Sequence, residues 1–142
     1  MDDKYRVREK MFQVEQARKS RLHPIWSEMG LIAGQPRVLS RLFIRDQVTQ
    51  KELSQACSID PATLSRALDR LEAMGLILRQ DHPNSRRAVM IELTKEGRAK
   101  AAQVVETFAH IDDVMLQGIG DEEAETFLKT LEQVYRNLTV CT

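Results

Sequence analysis

Two helix-start signals set close together constrain this chain more than any other feature of its sequence. Thr49 is followed three residues on by Glu52, the pattern in which a capping hydroxyl and a returning acid satisfy the first free N–H groups of a helix. Asp60 stands directly before Pro61, an acceptor at the cap and a residue whose missing N–H costs nothing in the first turn. Between them there is room only for a short helix, about residues 50–56, and a turn at Cys57-Ser58-Ile59. After Pro61, Leu64, Ala67, Leu68 and Leu71 fall on one helical face, and Gly75 is placed to end the helix in a left-handed cap.

The flanking segments complete an order of elements. Residues 4–22 predict a helix with a loose apolar stripe at Val7, Met11, Val14 and Ala17, and His23-Pro24 is expected to stop it. Gly34-Gln35-Pro36 starts a second helix whose inner face is Val38, Leu39, Leu42 and Phe43. Downstream, Leu76-Ile77-Leu78-Arg79 reads as a short strand, and Ala88 to Leu93 as another, with Val89, Ile91 and Leu93 on one face. The two are expected to pair as a hairpin around residues 80–87, with Ser85-Arg86-Arg87 at its tip. Thr94 caps a long helix over 95–116, with Ala101, Val104, Val105, Phe108, Ile111 and Met115 inside. Asp121 caps a last one with the stripe Phe127, Leu128, Leu131, Val134, Tyr135 and Leu138. Helix, helix, turn, helix, hairpin is the order of a winged helix–turn–helix. The fold class expected is mainly α with a small β-hairpin wing (α+β). Leu53 and the small Ser54 suit close crossing of the two motif helices.

Composition limits what such a fold does. Lys+Arg and Asp+Glu are 21 each in 142 residues, so the net charge is zero. Divided along the chain it is not uniform: residues 1–34 carry +2, residues 35–98 carry +3 and residues 99–142 carry −5. A neutral chain of this kind still presents a basic face when its acids sit on another element. With 42% hydrophobic and 30% charged residues, a folded, soluble domain is expected rather than a disordered one. No apolar run is long enough for a bilayer span, and the charged N-terminus lacks a signal peptide's apolar core, so a cytoplasmic location is expected.

The face of the Pro61 helix opposite its leucines holds Ala62, Ser65, Arg66, Asp69 and Ala73, with Thr63 and Arg70 beside them. Small and hydroxyl residues at an exposed helix start let a backbone approach DNA, and the free N–H groups there suit phosphates. Arg66 is long enough to reach a guanine edge or a phosphate. At the tip Ser85-Arg86-Arg87, the two adjacent arginines have no obvious packing role, and a basic β tip beside such a helix suits a narrow minor groove.

The stretches Gln50 to Ser54, Ile59 to Ile77 and Ser85 to Gly97 together resemble the MarR family of bacterial transcriptional regulators. Leu71-Glu72 to Gly75-Leu76-Ile77, then Arg86-Arg87-Ala88 and Leu93-Thr94-x-x-Gly97, carry the likeness by their combined spacing. The resemblance covers nearly the whole chain. It implies a homodimer whose terminal helices interlock, binding to a pseudo-palindromic operator on double-stranded DNA, and repression relieved by small phenolic or other aromatic ligands or by oxidants. On it, residues 1–142 form one domain, with residues 35–97 the DNA-binding core and residues 1–34 and 98–142 the dimerisation helices. His23, Trp26 and Met29 lie in the linker expected between the first two helices, a region that borders the effector pocket in that family. One departure stands out. The family's wing usually has an acid just before the arginines, whereas here that place is Ser85 and the nearest upstream acid is Asp81, so either Arg86 or Arg87 is a candidate for the groove.

Other chemistries find little support. Cys57 falls on an apolar position of the turn and is expected to pack as a small hydrophobe rather than act as a redox switch, and Cys141 stands almost at the C-terminus. His23, His82 and His110 share no ligand spacing, so neither a metal nor a cofactor is expected. No nucleophile has a base at recognisable spacing and no Gly-rich phosphate loop occurs, so an enzyme is not expected. The alternative to a DNA-binding repressor is a winged-helix module that uses its basic wing on an acidic protein partner.

Overall fold

The computed structural model describes residues 2–140, and the side chains of all of these except His82, Ser85, Arg86 and Arg87. Cys141 therefore lies outside the described residues. Among the described residues, six helices and three strands follow in the order α1 (Asp3–Glu28), α2 (Gln35–Ile44), β1 (Val48–Thr49), α3 (Gln50–Cys57), α4 (Pro61–Ala73), β2 (Ile77–His82), β3 (Ser85–Leu93), α5 (Lys95–Met115) and α6 (Asp121–Thr139). The chain forms two compact units, Met1–Phe108 and Ala109–Thr142.

In the first unit a single apolar core holds Val38, Leu39 and Leu42 of α2, Leu53 and Cys57 of α3, Leu64, Leu68 and Leu71 of α4, and Ile77, Ile91 and Leu93 of the sheet. Each large side chain buried there contributes roughly 1.5–3 kcal/mol relative to exposure. The helical periodicities thus face where their sequence placed them. The sheet is antiparallel in the order β1-β3-β2, with Val48 opposite Ile91 and Ile77 opposite Leu93. The two-residue β1 was not expected. It is too short for any alternation to register, and its place is set by pairing with β3.

The capping chemistry is specific. The Thr49 side chain accepts the N–H of Glu52 at 3.0 Å, and Asp60 accepts that of Thr63 at 3.0 Å. Gly75 has φ +76°, and the N–H groups of Gly75 and Leu76 close back on the carbonyls of Glu72 and Leu71 at 2.9 and 3.0 Å. That is the paired-bond ending a left-handed residue allows. Ser58 takes the same role after α3 at φ 53°, and the Ser54 hydroxyl donates to the Ile59 carbonyl at 2.6 Å across the turn. The Thr94 hydroxyl accepts the Gly97 N–H at 2.9 Å and donates to the Gly75 carbonyl at 2.7 Å, which fixes the start of α5 against the start of β2.

Three expectations are corrected. α1 does not stop at His23 but runs through Pro24 to Glu28. Pro24 removes one backbone donor, and packing offsets this, because Leu22 is buried and Trp26 and Met29 lie against the core. The helix is closed by the Met29 cap and the left-handed Gly30 after it, φ +76°, with the Leu31 N–H on the Trp26 carbonyl at 2.8 Å. Second, the cap of α6 is Gly120, with Asp121 the first helical residue and no side-chain cap bond. Third, Met115 at the end of α5 is exposed rather than inside.

The second unit comprises the end of α5 and α6. Among the described residues of α6 none is buried: Phe127, Leu128, Leu131, Tyr135 and Leu138 are all exposed in the single chain. Most of α1 likewise leaves apolar side chains exposed, among them Val7, Met11, Phe12 and Val14.

Candidate nucleic-acid interface

The leucines of α4 face the core, so its opposite face is left to solvent. Ala62, Thr63, Arg66, Asp69 and Arg70 are exposed and Ser65 is half-buried. Asp60 organises the start of this face. Its carboxylate accepts the Thr63 N–H at 3.0 Å and the Thr63 hydroxyl at 2.6 Å, and these bonds, the hydroxyl's first, hold Asp60 below its ordinary carboxylate value. The Thr63 hydroxyl proton is thus committed within the chain, and its oxygen in turn accepts from Arg66 Nη2 at 3.5 Å. Arg66 is therefore the long cation lying over the capped first turn.

Asp69 is engaged as well. Arg79 of β2 donates from Nη2 to Asp69 Oδ1 at 2.6 Å and to the Ser65 carbonyl at 3.4 Å. This link tethers the exposed face of α4 to the first strand of the hairpin.

The hairpin turns within the expected residues 80–87, but its tip is not at the arginines. Pro83 and Asn84 form the turn, with His82 paired to Ser85, so Ser85, Arg86 and Arg87 are not the tip but the start of β3. The strands reach beyond their apolar stretch because ladder hydrogen bonds belong to the backbone and are blind to side chain, so the polar residues 80–82 pair as well. The register is irregular there. Asp81 pairs with Val89 and His82 with Ser85, so Arg86, Arg87 and Ala88 occupy a shift on the β3 side. Such an irregularity bends and twists a strand locally.

Between helices and hairpin lies an open cleft of about 720 Å³, lined by Thr49 and Gln50, Lys51, Ser54 and Gln55 of α3, Pro61, and Ala88 and Val89 of β3. It joins the starts of α3 and α4 to the base of the wing. Its walls come from three separate stretches of sequence, so no local pattern marks it.

His23, Trp26 and Met29 lie on and at the end of α1, not in a linker. Trp26 meets Phe108 edge-on, ring centroids 5.1 Å apart at 67°, and Met29 packs against the core with its carbonyl accepting from Lys100 Nζ at 3.4 Å. His23 is exposed. Trp26 and Met29 thus both pack against the core, while His23 does not. Cys57 is buried among the motif helices, and burial pushes its thiol above the usual value against the opposing pull of Arg37 and Arg41.

The comparisons give this arrangement a family. The family model described as MarR matches residues 31–89. The transcriptional repressor YetL of Bacillus subtilis is 33% identical over 114 residues, covering 78% of this chain and 68% of that protein. The chain belongs to the MarR family. It is a transcriptional regulator of that family, whose named relatives are regulators and not enzymes. Solved MarR-type folds superpose closely. A MarR-family regulator of Listeria monocytogenes complexed with 26mer DNA has a TM-score of 0.84 at 24% identity over 92% of this chain and 87% of that one. NadR, solved in complex with 4-hydroxyphenylacetate, has a TM-score of 0.76 at 23% identity over 90% and 91%. Among the described residues no helix is long and apolar enough to cross a membrane.

Proposed function

We propose that this MarR-family chain is a cytoplasmic homodimeric repressor that occludes a pseudo-palindromic operator and is released by a small aromatic or phenolic effector. The observation that carries the reading is the capped, exposed start of α4 beside a basic hairpin, in a chain one-third identical to a named repressor. In this reading residues 35–97 are the DNA-binding core. Ala62 admits the DNA backbone closely, Thr63 and Ser65 line the phosphate side, Arg66 and Arg70 reach for base edges or phosphates, and Asp69 is an acceptor for a base-edge donor. Ser85, Arg86 and Arg87 form the wing, from which Arg86 or Arg87 enters the minor groove, where a cation gains most from the concentrated negative potential.

Residues 1–34 and 98–142 supply the dimer. The exposed apolar faces of α1 and α6 support this, because leaving side chains of that size in water forgoes roughly 1.5–3 kcal/mol each. A two-fold pairing would set the two copies of α4 about 34–36 Å apart, one turn of DNA. The acidic bias of residues 99–142 suits a surface held away from phosphates. The effector is assigned to the region of Trp26 and Met29, with His23 at its edge, where an aromatic ligand would find ring and thioether surface.

Selection from a pool of random duplexes tests the reading. The expected outcome is an inverted repeat with half-sites about 10–10.5 base pairs apart, bound by two chains per duplex. A pool from which no sequence is enriched would refute it.

A further inference from the structure

Alternation along β2 places an arginine where the fold puts apolar side chains. Ile77 is buried, Leu78 is exposed, and Arg79 returns to the inner side opposite the fully buried Ile91. Its side chain is only 21% exposed, and its Nε is enclosed without a hydrogen-bond partner among the described residues. A half-buried, partly satisfied guanidinium is a poor way to stabilise a core, since an apolar side chain of similar volume does that better. What the arginine does make is directional. One nitrogen, Nη2, reaches Asp69 Oδ1 at 2.6 Å and the Ser65 carbonyl at 3.4 Å. Those two acceptors lie one turn apart on α4, so the donor fixes both where the helix sits on the sheet and how far it is rotated.

Asp69 itself is 66% exposed and lies at the centre of the outward face, between Arg66 and Arg70. A free carboxylate there would oppose a polyanion, and its pairing with Arg79 removes that opposition while leaving Oδ2 available as an acceptor. We propose that Arg79 is a positioning residue for sequence discrimination: from behind α4 it sets the helix against the base of the wing and orients the Asp69 carboxylate, without itself touching DNA. This inference rests on the DNA-binding reading given above. It makes Asp69 an acceptor suited to the cytosine amino group.

The test compares wild type with Arg79→Met, Arg79→Lys, Asp69→Asn and the Arg79→Met/Asp69→Asn pair. Each is titrated with a duplex selected by the wild-type protein and with a scrambled duplex of equal length, at two salt concentrations. Arg79→Met is expected to narrow the ratio of selected to scrambled affinity by about tenfold, the scale of one lost charge-assisted contact. Arg79→Lys keeps the charge but not the planar fork, and should narrow it nearly as much. The double variant restores the local charge balance, so affinity for the scrambled duplex returns while the ratio stays narrowed. If Arg79→Met weakens both duplexes equally and the double variant restores both, the residue only balances charge and the proposal fails. Should Arg79→Met not fold, Arg79→Lys decides alone: an unchanged ratio overturns the proposal. A wild-type protein that selects no duplex overturns the DNA-binding reading as well, an outcome distinct from an unchanged ratio.

Discussion

Gly97→Ala puts two known effects in opposition, and the structure decides which wins. Gly97 lies in the first turns of α5 with an ordinary helical backbone, so propensity alone favours alanine by about 1 kcal/mol. A Cβ at this position, however, would collide with the backbone carbonyl of Leu76. That carbonyl cannot move aside freely. It accepts the Thr94 N–H at 3.0 Å, and the neighbouring Gly75 carbonyl holds the Thr94 hydroxyl at 2.7 Å. Accommodating the methyl means lifting α5 away from β2 and losing one or both bonds. Each costs about 0.5–1.5 kcal/mol net, or about 1–3 if a buried group is left unpaired. Overpacking adds about 1–3 kcal/mol. The net expectation is destabilisation of roughly 1–4 kcal/mol, read as a lower urea midpoint at unchanged slope. A Gly97→Ala protein as stable as wild type, or more so, would show that propensity outweighs the close approach and that the helix-to-strand junction is looser than described.

Cys57→Ser should cost about 1–3 kcal/mol by burying a hydroxyl, while Cys57→Ala leaves DNA binding and its response to mild oxidant unchanged. In a Cys141→Ser background, iodoacetamide should modify Cys57 no faster than the protein opens. Because folding favours the protonated thiol, its contribution is intact below about 9.0 and is lost as pH rises through the raised value, so alkaline titration of stability should show a decline that Cys57→Ala lacks. Asp60→Ala should lower the melting temperature and Asp60→Asn, which keeps an acceptor, less so. The Asp60 value is depressed, so the difference between wild type and Asp60→Ala is present above 3.8 and closes as pH falls through the lowered value. Leu131→Glu with Leu138→Glu on the exposed face of α6 should convert dimer to monomer in sedimentation and abolish two-chain binding to DNA; a well-folded monomer retaining full operator affinity would end the dimeric account.

The winged core was legible because its signals are local and covalently close. Thr49, Asp60, Gly75 and Thr94 each announce a helix end through chemistry that acts within a few residues, and each sits at one in the structure. The failures share the opposite property. Pro24 is a strong local stop signal, and the helix continues past it through packing that local sequence does not show: Leu22 is buried, Met29 lies against the core, and Trp26 meets the distant Phe108. The turn lies within the expected residues 80–87, but the arginines belong to β3 rather than to the tip, because backbone pairing continues past the apolar alternation that marks a strand. Arg79 escaped notice for a similar reason. An arginine at the end of a short apolar strand looks like its solvent-exposed edge, and its acceptors on α4 lie ten and fourteen residues away. Asp46 is a further case: it accepts the Leu93 N–H at 3.0 Å and pairs with Arg98 at 2.8 Å, bracing β3 and α5 from a loop that carries no motif.

The central claim is that α4 and the basic start of β3 act together on duplex DNA. Its most direct test is the salt dependence of binding to a selected duplex, measured for wild type and for Arg86→Ala/Arg87→Ala. The account predicts a steep linear fall of log affinity with log salt for wild type, and a slope shallower by about one unit for each phosphate contact the double variant loses. An unchanged affinity and slope in the double variant would contradict it, and would remove the wing from the interface.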